Sequence, residues 1–221
     1  MSAESSAVYY SLINKEIRQR LGGHHNAKSI MVTVDFAEVE THMRSGQWDR
    51  VATLMIGAAK KLEQTGAECV VLCTNTIHKI ASAIESEVSI PLLNLIDATG
   101  LALTQSKIRK AGLIGTSFTM EDGFYQDRLA DRFEVSVIVP DAADREIVHR
   151  VIFEELTQGI MSSRSKSEFV RIVGRLKDQG AEGVVLGCTE IPMLIGQEDA
   201  SLPLFDTTEI HVRAAVEFSL A

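Results

Sequence analysis

The sequence is poor in the residues that would mark several large classes of protein. It has three cysteines in 221 residues, Cys69, Cys73 and Cys188. An odd, sparse set is no disulfide framework. It also lacks the CxxC pairs with nearby histidines that zinc ligation favours. No apolar run approaches the roughly 20 residues needed to span a membrane. No basic N-terminal segment leads into an apolar core, so no secretory leader is expected. Lys and Arg are outnumbered, 22 to 30, leaving a formal charge of −8. The basic residues are scattered rather than clustered, which speaks against nucleic acid and anionic membranes as partners. What remains is an ordinary globular composition, 45% hydrophobic and 24% charged. Free thiols in such a chain point to a reducing cytoplasm.

An internal repeat organises what is present. Gly66-Ala67-Glu68-Cys69-Val70-Val71-Leu72-Cys73-Thr74 runs parallel to Gly180-Ala181-Glu182-Gly183-Val184-Val185-Leu186-Gly187-Cys188-Thr189. Ile90-Pro91-Leu92-Leu93 likewise mirrors Leu202-Pro203-Leu204-Phe205. The offset, about 114 residues, is half the chain and predicts two related domains rather than a solenoid. Each copy reads as helix, glycine turn, buried strand, polar loop and helix. Strands are expected at 69–72 and 183–186, with others at 29–34, 111–114 and 134–139. Helices are expected near 48–65, 166–179 and 207–220. Val-rich strands alternating with helices predict an α/β fold with largely parallel sheets. The expected domains are 1–97, completed by 206–221, and 98–205, with the site in a cleft between them. The repeat also predicts that the counterpart of 111–119 would precede Met1. The first domain is therefore expected to lack one strand, and the chain to be unstable or weakly active without it.

Cys73 and Cys188 fall at equivalent places, each just past a buried strand and before polar residues that open a helix. Ligands of open α/β sheets bind outside the carboxyl ends of strands. Two thiols facing one cleft suit racemisation, which takes a proton from one face of a carbon and returns one on the other. A thiolate and a thiol supply base and acid without a cofactor. Thr74, Asn75, Thr76 and Thr189 lie beside the thiols and could bind the substrate's carboxylate and ammonium, or simply cap helices. Met1 and Thr116, at the corresponding turns of the two copies, are further candidates for substrate binding. Cys69 lies inside its strand opposite Gly183 and reads as a small hydrophobe. His78 and His211 could tune a thiol or serve in packing, and Asp35 and Asp206 lie at expected strand ends.

At these residues the sequence resembles the aspartate/glutamate racemase family. The first signature is Val70-Val71-Leu72-Cys73-Thr74-Asn75-Thr76-Ile77-His78. The second is Val184-Val185-Leu186-Gly187-Cys188-Thr189-Glu190-Ile191-Pro192. The resemblance implies two α/β domains, proton transfer at one carbon without pyridoxal phosphate, and commonly a homodimer acting on a small amino acid. Cys-Thr-Glu, where cell-wall glutamate racemases typically have Cys-Thr-His, is similar to the aspartate racemase branch. Phe36 follows Asp35 where some aspartate racemases carry an arginine for the distal carboxylate. Lys166 is the candidate replacement cation. The alternatives are a cis–trans isomerase or decarboxylase of a small dicarboxylate, or a silent metabolite-binding protein.

Overall fold

A computed structural model describes residues 2–221, so the candidate Met1 lies outside the described residues. The chain divides into two compact units, one running to Asn94 and including Val212–Ala221, the other Leu95–His211. Among the described residues every sheet pairing is parallel, as the crossover pattern of strand and helix demands.

The first unit begins with α1 (Ala3–Leu21), capped by Ser2, whose hydroxyl accepts from the Ser5 amide at 3.0 Å. Next come α2 (Phe36–Arg44) and α3 (Trp48–Gln64). Two short strands follow, β1 (Val70–Val71) and β2 (Leu92–Leu93), with α4 (Ala81–Glu85) between them. They pair Val70 with Leu92 and Val71 with Leu93. The apolar faces of the helices supply the core, with Tyr9, Val39, Val51, Met55 and Ala59 buried.

One expected strand is absent. Residues 29–34 form no strand, and Ile30 and Met31 stand about half exposed, 50% and 52%. The alternation there is genuine, but a strand exists only by its ladder. The repeat counterpart of this segment bonds to the central strand of the second unit. Among the described residues the first unit holds no counterpart of that central strand.

The second unit is a doubly covered sheet. It opens with α5 (Leu95–Gln105), β3 (Lys110–Gly115), α6 (Ser117–Glu121) and α7 (Phe124–Phe133). It continues with β4 (Ser136–Ile138), α8 (Ala142–Glu154), α9 (Ser163–Asp178) and β5 (Gly183–Gly187). β6 (Leu204–Asp206) then leads into α10 (Thr207–Leu220), the helix within which the two units divide. The strand order is β4-β3-β5-β6. Side chains alternate across the sheet. Ala111, Leu113 and Val185 pack with α5 and α7, while Ile114, Val184 and Leu186 pack with α8 and α9. Burial on both faces explains why these strands read as continuous apolar runs.

Candidate active site

Each unit carries one cysteine just beyond the carboxyl end of a strand. In the first unit β1 leads through Leu72 to Cys73, and the chain turns into a short 3₁₀ helix, Thr76–Ile80. The turn is held locally: the Thr74 amide donates to the Leu72 carbonyl at 2.8 Å. The Ser5 hydroxyl donates to the Cys73 carbonyl, tying the first turn of α1 to the cysteine backbone. His78 Nδ1 lies 2.8 Å from the Thr74 carbonyl. A carbonyl only accepts, so Nδ1 carries the proton of that bond. Asn75, Thr76 and His78 are all buried. The Cys73 thiol is half-buried, and burial pushes its pKa up.

In the second unit β5 is buried along its whole length and ends at Gly187. Gly187 faces Gly115 of β3 in the ladder. A Cβ on Gly115 would lie 2.9 Å from the Gly187 carbonyl oxygen, so the strands close together only because both residues lack side chains. This approach brings Thr116 and Cys188 to adjacent strand ends. Thr116 caps the short α6. On the other side of β5, the Thr207 hydroxyl donates to the Leu186 carbonyl at 2.8 Å. Asp206 accepts from the Thr208 amide at 2.8 Å and so caps α10.

Cys188 packs against the apolar cluster beneath it. Its thiol reaches Glu190 Oε2 at 2.9 Å, and the Thr189 hydroxyl donates to the same oxygen at 2.6 Å. Glu190 is itself buried. Burial first, and then the Glu190 carboxylate, push the Cys188 thiol well above its ordinary range. In the sequence Glu190 reads only as a branch marker, and its contact with the Cys188 thiol emerges from the structure. The signal available was an acid two residues past a candidate proton-transferring thiol, in the turn after a buried strand.

Lys166 Nζ forms an ion pair with Asp199 at 2.8 Å and is 43% exposed, which occupies the ammonium with a carboxylate of its own unit. Asp35 caps α2, accepting from the Ala37 amide at 3.1 Å. His211 is fully buried in α10. Among the described residues no cluster of His, Cys, Asp and Glu could hold a metal, and no helix is long and apolar enough to cross a membrane.

The α/β architecture of this chain is also that of known proteins. The sequence model of the Asp/Glu/Hydantoin racemase family matches residues 1–215. A Yersinia pestis protein assigned to the Asp/Glu racemases is 46% identical, with a TM-score of 0.94 over 100% of this chain and 96% of that one. An aspartate racemase homologue from Pyrococcus horikoshii OT3 is 33% identical, with a TM-score of 0.85 over the same shares. The broad specificity amino-acid racemase RacX of Bacillus subtilis is 21% identical across 78% of this chain and 74% of its own. The chain therefore belongs to the Asp/Glu/hydantoin racemase family and is an enzyme of the isomerase class.

Proposed function

We propose that this chain racemises aspartate, glutamate or a closely related amino acid, with Cys73 and Cys188 as the two proton-transferring groups. The observation that carries the proposal is the repeat of site chemistry. Each unit ends a parallel strand in a cysteine followed by threonine, and the two turns are equivalent in sequence and in topology. A single cysteine could be a packing residue, whereas two at equivalent strand ends match a reaction that is itself symmetric. In the proposed cycle one thiolate takes the Cα proton and the other thiol delivers a proton to the opposite face. Thr74, Asn75, Thr76, Thr116 and Thr189 supply hydroxyls, an amide and backbone N–H groups for the substrate's carboxylate and ammonium. Such fixed dipoles stabilise the carbanionic transition state when water is excluded. No cofactor takes part. The working form is a homodimer in the cytoplasm, where the three free thiols fit a reducing compartment.

The test is proton exchange at Cα in deuterium oxide. Wild-type enzyme should wash deuterium into the product enantiomer first and into both at equilibrium. Cys73→Ala and Cys188→Ala should each lower racemisation by about a hundredfold or more. Wild-type turnover in either variant would remove the two-thiol mechanism.

A further inference from the structure

We propose that the ion pair of Lys166 with Asp199 selects amino acids whose side chain ends in a carboxamide over those whose side chain ends in a carboxylate. The inference rests on the racemase reading above and narrows it: among aspartate, glutamate and their close relatives, the neutral amides are the ones accepted. Lys166 stands in the first turn of α9, and α9 leads through the turn at Gly180 into β5. A helix that feeds a parallel strand runs back along it. The start of α9 therefore lies at the carboxyl end of β5, the end that carries Cys188. Asp199 closes the 3₁₀ turn Gln197–Asp199, within the connection that begins at Cys188 and ends at β6. Phe169 of α9 and Ile195 just before that turn belong to the apolar cluster on which Cys188 packs.

Both partners of the pair are fixed. Lys166 Nζ lies 2.8 Å from Asp199 Oδ2, and the Gly196 amide donates to the same oxygen at 2.9 Å. The Gly196 amide first, and then the Lys166 ammonium, hold the Asp199 carboxyl below its ordinary value. Asp199 is therefore charged at neutral pH, and the ammonium is neutralised before any ligand arrives. A second carboxylate brought here from water meets no net counter-charge and faces Asp199 as a like charge. Its lost hydration goes uncompensated. A carboxylate also has acceptors alone, whereas the pair presents one donor group and one acceptor group. A carboxamide matches both: its carbonyl accepts from the Lys166 ammonium and its NH₂ donates to the Asp199 carboxylate.

The other charges near the start of α9 reinforce this balance. Glu155, just after α8, accepts from the Ser165 hydroxyl at 2.6 Å and faces Arg150 at 3.6 Å. Glu198, exposed beside Asp199, and Glu190, buried beside Cys188, add negative charge that opposes a further anion. Arg164 is exposed and lies two residues before Lys166, about 200° away round the helix. It therefore stands on the side of α9 away from the pair.

The experiment compares matched ligands on the full-length protein: L-asparagine against L-aspartate, and L-glutamine against L-glutamate. Binding is read by titration calorimetry and racemisation by chiral chromatography, at pH 7 and one ionic strength. In wild type each amide should bind at least about tenfold more tightly than its acid, with kcat/KM in the same order. Asp199→Asn keeps an acceptor for the Gly196 amide and releases the Lys166 ammonium. Its acid-to-amide ratio should rise at least about tenfold. The ratio is taken on one sample, so a loss of folded protein cancels. Lys166→Met leaves the Asp199 charge in place and should keep the preference for amides. Wild-type protein that binds the acids as well as the amides, or better, overturns the proposal. So does an acid-to-amide ratio unchanged in Asp199→Asn, and so does the absence of binding by all four ligands. Failure of the racemase reading looks different: the amides bind with the expected preference, and none of the four ligands turns over.

Discussion

Cys69 and Gly183 occupy the same place in the two copies of the repeat, and the difference between them has a steric cause. Gly183 lies opposite Pro203 in the ladder, as the register of Val184 with Leu204 requires. A Cβ there would sit 2.8 Å from Phe205 Cε2 and 3.3 Å from the Pro203 carbonyl oxygen. In the first unit the residue matching Phe205 is Leu93, which is smaller, and the position just before β1 holds a thiol, Cys69. The large side chain has moved from one strand to the other while the filled volume is kept. Gly183→Ala should therefore cost about 1–3 kcal/mol through overpacking. Cys69→Ala, at a half-buried position, should cost less than about 1 kcal/mol. Urea denaturation of the two single variants measures both. Equal costs would mean that Phe205 swings aside at little expense.

At the scale of elements, α8 and α9 are held by more than their apolar stripe. Asp144 of α8 is nearly inaccessible, with its side chain 3% exposed, yet it carries a carboxylate. Arg171 of α9 meets it with Nη2 2.7 Å from Oδ1 and Nη1 3.2 Å from Oδ2, and Arg175 adds a contact at 2.9 Å. Burial alone would raise the Asp144 carboxyl, but the two guanidiniums outweigh it and hold it below the ordinary value. The folded-state pKa is thus lower than the unfolded one. The stabilisation is present above the unfolded value near 4 and is lost as pH falls through the depressed folded value. Asp144→Asn should lose about 2 kcal/mol at pH 7. The gap between variant and wild type should close as the pH drops below about 4. Thermal melts of both proteins across pH 2.5–7 test this, and a gap independent of pH would assign the loss to packing. The amphipathic pattern of α9 is readable in the sequence, through Phe169, Ile172, Val173 and Leu176 on one face. The clamp is not readable, because nothing in a one-dimensional pattern pairs Asp144 with arginines 27 and 31 residues away. The same limit explains Glu190. Its place in the motif is visible, but its contact with Cys188 depends on how tightly the turn after Gly187 closes.

The whole molecule pairs a complete sheet with a rudimentary one, and the repeat makes the contrast measurable. Parallel strands and the helices of both copies follow from Val-rich runs and glycine turns, so β3, β5 and their flanking helices are legible from residue types alone. The segment 29–34 is equally strand-like in composition, and its failure to form a strand is a tertiary effect. In the second unit β4 bonds to β3 through Lys110–Ser136, Ala111–Val137 and Gly112–Ile138. Residues 29–34 have no such ladder among the described residues, and their side chains are half-buried or exposed. Backbone protection should follow that difference. Amides of 111–115 and 183–187 exchange only through opening of the central sheet, with protection of at least about a thousandfold. Amides of 28–34 should exchange within about tenfold of an unstructured chain, since a segment without a ladder opens at almost no cost. Val70, whose amide donates to the Pro91 carbonyl at 2.9 Å in a two-residue strand, should fall between these limits. Hydrogen–deuterium exchange resolved by peptide reads all three regions in one experiment. Strong protection across 28–34 would mean that this segment is paired in solution, and the first unit would then carry a longer sheet than β1 and β2.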